Sequence, residues 1–311
     1  MKITVAGIGK VGSTVAFCLA RDGLASELIL YNRTRAKARA DALDIQQAVA
    51  FVPHRVLVRD GDVADTAGSD VIVLCAGIAI DKDANDRNGV AGPNTRLVCE
   101  LLPPLMAASK DAIVVNVSNP LDVITYHILR LTGLPPSRVI GTGTLIDSAR
   151  FREMLGEQVG IHPVDLGVYI LGEHGDTQFA ALSAATCGGE HIDDTPARAE
   201  LLEQAKRSAW EVFNTKGYTN YAVAMATTLI VQAIHEDLRY TMPVSVLIDG
   251  YCGVKDVCLS VPCVVGRAGV TQVLRPRLSG EECEKFKRSA AAVRGVIART
   301  RAIVDEYSKN A

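Results

Sequence analysis

The chain has 311 residues, 48% hydrophobic and 22% charged, with a formal net charge of -2. That size and apolar content suit one large or two ordinary α/β units around a substantial core. The near-neutral charge gives no reason to expect a nucleic-acid partner, and no apolar run approaches the ~18 residues of a membrane span.

Taken in chain order, "KITVAGIG" reads as a strand and residues 11–22 as a helix. "ELILYN" is a strand and 35–49 a helix; "RVLVRDG" is a strand edge and "SDVIVLCAG" a strand. A helix follows at 94–108, a strand at "AIVVNVSNP", a helix at 121–132 and a strand at "RVIGTG". Near-continuous Val/Ile/Leu runs between helices predict a Rossmann-type, doubly wound parallel sheet covered on both faces, spanning 1–145. Beyond about residue 150 the pattern changes. "LGVYILGEHG" and "QFAALSAATCGGEHI" suggest antiparallel pairing, 197–214 and 218–236 are helical, "VCLSVPCVVGRAGV" reads as strands with a turn, and 281–308 as a closing amphipathic helix. We expect an α+β substrate domain over 146–311, joined with no low-complexity linker.

The opening "MKITVAGIGKVG" has too few apolar residues before its glycines for a secretory signal, so the expected location is cytoplasmic. Eight cysteines are present, most in apolar surroundings such as "TVAFCLA" and "VIVLCAG". We read them as reduced, buried small hydrophobes. None shows the paired spacing of a zinc site, and no metal is expected.

"GIGKVG" places Gly7, Gly9 and Gly12 between a strand and a helix. The first permits a tight turn, the second lets backbone amides approach a pyrophosphate, and the third lets helix and strand pack closely. The phosphates would sit at a helix N-terminus, where unpaired N–H groups and the dipole favour an anion. About 20 residues further on, where an acid commonly holds the ribose hydroxyls of NAD, this chain has Asn32 followed by Arg33, Arg35 and Lys37. Two readings stay open. Arg33, backed by Arg35 or Lys37, pairs with a 2′-phosphate and the cofactor is NADP; or the arginines are a solvated turn, Asn32 bonds the ribose and the cofactor is NAD.

Four further stretches carry chemistry. "LGEHGDTQF" holds His174 in a glycine-flanked turn, and "GTGTLIDSARF" holds Asp147 and Arg150 one helical turn apart. "NVSNPLD" puts Asn119 at a strand's C-terminal end, and "DANDRNG" puts Arg87 in a polar loop after Ala76-Gly77. These are the parts for hydride transfer at a carbon bearing oxygen. An imidazole gives or takes the hydroxyl proton, a carboxylate fixes its tautomer, and guanidinium groups hold a carboxylate and polarise a carbonyl.

With "GIGKVG", "NVSNPLDV", "GTGTLIDSAR", "GEHGD", "KGYTNYA" and "DVCLSVPCVVGR" in this order, the chain resembles the L-lactate/malate dehydrogenase family over nearly its whole length, and its lactate branch most. The resemblance implies that His174 is the proton donor/acceptor, Asp147 its partner, Arg87 the loop arginine and Arg150 the ligand of the substrate carboxylate. It also implies that Asn119 bonds the substrate oxygen, Thr219 lines the substrate pocket and Val223 packs near the nicotinamide. Val11, Ala76, Gly77, Val117 and Asn119 join the glycines as cofactor-binding positions. The expected substrate is a small 2-oxo or 2-hydroxy acid, with malate dehydrogenase and a non-catalytic NAD(P)-binding sensor as alternatives.

The family's loop usually reads "AGxxQKPGxTR"; here it is "AGIAIDKDANDR", one residue longer before Arg87. The specificity position falls near Ile80 or Asp81, which disfavours malate and suits a larger apolar side chain. Together with "LDIQQA" this is similar to the L-2-hydroxyisocaproate dehydrogenases of the family, so 2-oxoisocaproate competes with pyruvate. The family also implies a homodimer or homotetramer. Many bacterial members are activated by fructose 1,6-bisphosphate through an arginine and a histidine. Arg152 matches the first, but Gly167 stands at the second, so no such activation is expected.

Overall fold

The computed structural model describes residues 1–78 and 87–310. The first half builds β1 (Lys2–Ala6), α1 (Lys10–Arg21), β2 (Glu27–Tyr31), α2 (Arg35–Ala48), β3 (Leu57–Gly61) and β4 (Val71–Leu74). It continues through α3 (Ala91–Ala108), β5 (Ile113–Asn116), α4 (Leu121–Thr132) and β6 (Val139–Gly141). All six strands run parallel, in the order β3-β2-β1-β4-β5-β6. This is the doubly wound order, whose direction of travel reverses between β1 and β4 and leaves a crevice at the strands' C-terminal ends.

The apolar runs explain why this sheet is buried on both sides. Along β4, Val71 and Val73 join the core under α1 and α2, whereas Ile72 and Leu74 join the core under α3 and α4. Successive side chains of a strand point to opposite faces, so a run without polar residues needs cover on both.

The second half begins with α5 (Leu145–Val159) and five two-residue strands, β7 (Leu166–Gly167), β8 (Ile170–Leu171), β9 (Phe179–Ala180), β10 (Thr186–Cys187) and β11 (Glu190–His191). These pair antiparallel, as expected from the sequence. Then come α6 (Pro196–Lys216), α7 (Tyr221–Glu236), β12 (Tyr240–Asp249), β13 (Lys255–Gly266), β14 (Gly269–Val273) and α8 (Gly280–Asn310).

Strand β12 is not foreseen by the sequence reading. It pairs antiparallel with β6 at Ser245–Gly141 and with β13 along most of its length, so β12, β13 and β14 extend the parallel sheet to nine strands. Pro243 interrupts the strand signal, since proline gives no ladder N–H. The register sets it opposite Pro262, which confines the two missing donors to one rung.

The cysteine expectation needs a correction. Cys252 and Cys283 form a disulfide, Cα to Cα 5.6 Å, that ties the turn after β12 to the first turns of α8. They are 31 residues apart and become neighbours only because α8 folds back on this end of the sheet. Cys18, Cys99, Cys258 and Cys263 are buried free thiols, as expected. No described helix is long and apolar enough to cross a membrane.

Candidate active site

The glycine loop turns directly at the crevice. Gly7 has φ +100 and donates its N–H to Tyr31 O at 2.9 Å. A Cβ on Gly7 would lie 2.3 Å from the Ala76 nitrogen, and one on Gly12 would lie 2.2 Å from Gly7 O, so β1, α1 and β4 meet at backbone contact. At Gly9 nothing lies within 4 Å of the Cβ position. No side chain caps α1, whose N-cap is Gly9. A helix start with uncapped N–H groups beside open space suits the pyrophosphate of a dinucleotide.

The basic turn after β2 divides. Arg35 Nε bonds Asp60 Oδ2 at 2.7 Å, and its Nη1 lies 3.8 Å from Asp62 Oδ2. Asn32 turns its amide on its own loop, donating to Thr34 O at 3.2 Å. Arg33 and Lys37 are exposed and form no salt bridge among the described residues.

A cavity of about 510 Å³ opens from the glycine loop. Gly9, Val11, Gly12, Gly77 and Val117 wall one part of it. Asn119, Arg150, His174, Thr219 and Val223 also line it. Gly7 and Ala76 stand directly behind the wall. Asn32 and Arg33 on the turn, and Lys37 at the start of α2, lie outside the cavity lining. Ile80 and the side chain of Arg87 lie outside the described residues.

At its inner end, His174 Nδ1 lies 2.6 Å from Asp147 Oδ2. Arg150 Nη1 donates to the other oxygen, Asp147 Oδ1, at 3.0 Å. Asp147 and Arg150 share the first turns of α5, three residues apart and so on one helix face. His174 comes from the turn between β8 and β9, and all three side chains are at most 19% exposed. The ring's second nitrogen, Nε2, is thereby the one turned from the carboxylate. Asn119 Oδ1 is buried with no partner among the described residues, while the Asn119 carbonyl accepts from Asn94 Nδ2 at 2.6 Å. An orphaned polar atom on a cavity wall fits a site that receives a polar ligand.

Several residues here escape the sequence reading. Asn94 braces the site, its Oδ1 accepting the Ile78 N–H at 2.7 Å. Trp210 and Phe213 of α6 line the cavity and meet edge to face, centroids 5.8 Å apart. Lys10 and Lys216 place their ammonium groups 3.9 and 4.6 Å from the Tyr218 ring centroid, joining the glycine loop to the segment that carries Thr219. Asp122, 2% exposed, accepts the His174 backbone N–H at 2.8 Å. In the sequence each looks like an ordinary helix residue; only the helical spacing of Trp210 and Phe213 hints at a shared face. Cys75 also lines the cavity, but burial pushes its thiol up to about 12, so it offers no thiolate. Among the described residues no cluster of His, Cys, Asp or Glu could hold a metal ion.

Two family models match the chain in sequence: lactate/malate dehydrogenase, NAD binding domain, over residues 1–141, and lactate/malate dehydrogenase, alpha/beta C-terminal domain, over 144–304. An L-lactate dehydrogenase of Clostridium perfringens is 39% identical over 307 residues, 96% of each chain. One from Clostridium botulinum is 37% identical over 306 residues, 95% of this chain and 96% of that one. Among solved structures, the minor L-lactate dehydrogenase of Enterococcus mundtii in its ligand-bound form superposes with a TM-score of 0.91 at 31% identity, covering 96% of this chain and 98% of the other. A lactate dehydrogenase enzyme from a Medee basin deep-sea metagenome library gives 0.91 at 28% identity, with the same coverage. The doubly wound sheet, the glycine turn and the matches along both halves make this chain a member of the lactate/malate dehydrogenase family.

Proposed function

We propose that the protein is an L-2-hydroxy acid dehydrogenase of the lactate dehydrogenase type, interconverting a 2-oxo acid and its L-2-hydroxy acid. The observation that carries this is the His174–Asp147–Arg150 cluster opening into the same cavity as the glycine loop. When bound, NAD supplies or accepts the hydride. Gly7, Gly9 and Gly12, with the start of α1, hold its pyrophosphate, and Val11, Ala76, Gly77, Val117 and Val223 complete its bed. Residues 1–145 act as the dinucleotide domain and 146–311 as the substrate domain.

Arg150 binds the substrate carboxylate while its Nη1 remains on Asp147, and Asn119 bonds the substrate oxygen. Asp147 holds the ring through Nδ1, so Nε2 gives a proton to the carbonyl oxygen in reduction and takes it back in oxidation. Arg87 polarises that carbonyl from the loop. The substrate side chain meets Leu121, Ile146, Ala209, Trp210 and Phe213, an apolar wall that supports a branched 2-oxo acid beside pyruvate.

For the cofactor we favour NAD over NADP. The Asp60 and Asp62 carboxylates beside Arg35 engage one of the basic groups and would repel a 2′-phosphate. Fructose 1,6-bisphosphate is not expected to activate, since Gly167 offers no side chain and its Cβ position is 3.0 Å from Thr186 Oγ1. The enzyme works in the cytoplasm as a homodimer or homotetramer. Exposed Phe17 of α1 and Tyr221 and Met225 of α7, on helices that pack together, supply an apolar face for self-association.

Initial rates with 4-methyl-2-oxopentanoate and pyruvate, each with NADH and NADPH, test the reading. We expect turnover of both acids, NADH ahead of NADPH, and the branched acid at least equal to pyruvate in kcat/KM. Turnover of neither acid would overturn the enzyme reading in favour of a binding protein. NADPH ahead of NADH would make Arg33 and Lys37 a phosphate site.

A further inference from the structure

His174 sits in a short turn between β8 and β9, where no extended ladder fixes the backbone. Its ring is held by Asp147, from the first turn of α5. Its main chain is held by a second carboxylate, from the first turn of α4: Asp122 Oδ2 accepts the His174 N–H at 2.8 Å. The other oxygen, Oδ1, accepts the Ser245 hydroxyl of β12 at 2.6 Å. Asp122 is 2% exposed and forms no salt bridge with a lysine or arginine among the described residues. A carboxylate buried against neutral donors alone costs stability. Burial pushes its carboxyl up to about 7, although the bonds from Ser245 and His174 oppose this. The ionisable groups acting on it are His174 and Glu173 of the turn; the Cys258 thiol of β13 is raised by burial first and by Asp122 second. Asp122 lies three residues after Asn119, so one short segment carries both the main-chain anchor of His174 and a wall residue of the cavity.

We propose that Asp122 is a positioning residue, clamping the backbone of His174 so that Nε2 meets a substrate oxygen placed by Asn119. The proposal rests on the reading of His174 as the proton donor and acceptor. A buried carboxylate that costs stability yet grips this one turn is the kind of feature retained for function.

Two substitutions separate the clamp from the charge. In Asp122→Asn the amide oxygen can take the His174 N–H while the NH2 donates to Ser245, so the clamp persists without charge. In Asp122→Ala both bonds are lost. We expect kcat to fall on the order of 100-fold in Asp122→Ala, with NADH binding, followed by quenching of the single tryptophan Trp210, within about twofold of wild type. Asp122→Asn should keep most of kcat, and its kcat/KM profile should lack one ionisation present in the wild-type profile. Wild-type kcat in Asp122→Ala, or loss of NADH binding in parallel with kcat, would overturn the proposal. So would equal losses in both variants. If wild type reduces neither acid, the proposed function fails. The clamp is then read from hydrogen exchange at the His174 amide, faster in Asp122→Ala but not in Asp122→Asn; unchanged exchange in both would overturn it.

Discussion

Asp147 is approached from two sides, by the His174 ring at 2.6 Å and by Arg150 at 3.0 Å. One carboxylate therefore orients both the proposed proton carrier and the proposed substrate anchor. Arginine suits the second task because its planar fork serves two oxygens at once, whereas lysine is a point charge on a flexible stem. We expect Arg150→Lys to raise KM for the 2-oxo acid by about 10- to 100-fold, the cost of a lost charge-assisted bond. NADH binding should stay unchanged, because the glycine loop lies at the other part of the cavity. Steady-state kinetics with tryptophan quenching measures both, and a KM like that of wild type would remove Arg150 from substrate binding. At this scale the sequence singled out residues in glycine-flanked turns or at strand ends, His174, Asn119 and Gly9, which the fold brings to one cavity. It was silent on Asp122, Asn94 and Trp210, whose partners lie on other elements and whose spacing along the chain carries no mark of the contact.

At the scale of elements, α8 closes the molecule by crossing α3, α4 and β13. Its buried contact with α4 includes a hydrogen bond of 2.7 Å between His127 Nε2 and Thr300 Oγ1. Burial lowers the His127 imidazole to about 4, with Asp305 opposing, so the folded protein keeps it neutral. An unfolded chain takes up that proton near its ordinary value of 6.5. The stability contributed by the neutral ring is therefore full above pH 6.5 and lost as pH falls towards about 4. Thermal melts should show wild type losing Tm across this window, and His127→Gln, which cannot titrate, losing less. Parallel slopes for the two proteins would show that the α4–α8 contact has no part in acid sensitivity. The helices other than α5 were legible from apolar periodicity, and α4 matched residue for residue. Strand β12 was not, because its proline and its burial on both faces obscure the strand pattern.

For the whole molecule, the nine-stranded sheet runs through both halves, and β12 pairs with β6 at a single register position, Ser245–Gly141. The turn that carries His174 and the glycine loop are thus held by one continuous framework. Its outer surface leaves Phe17 42%, Tyr221 70% and Met225 50% exposed on neighbouring helices α1 and α7. Exposed apolar side chains on packed helices favour burial against a second copy. Sedimentation of the purified protein should give a dimer or tetramer, and Met225→Lys should shift it towards lighter species. A wild-type monomer at micromolar concentration would remove the oligomer from the proposed function.

The sequence by itself determined the parallel sheet and the glycine turn, and it singled out His174, which the fold brings to the same cavity. Those depend on local rules: runs that need cover on both faces, glycines required at a turn, a helix that brings residues three apart onto one face. Tertiary structure alone decided which residues meet across distance. It drew Arg35 to Asp60, closed Cys252 on Cys283, and set Asp122 beneath His174, 52 residues away. These pairings follow from how the chain folds back across the sheet, and spacing in the sequence does not encode them.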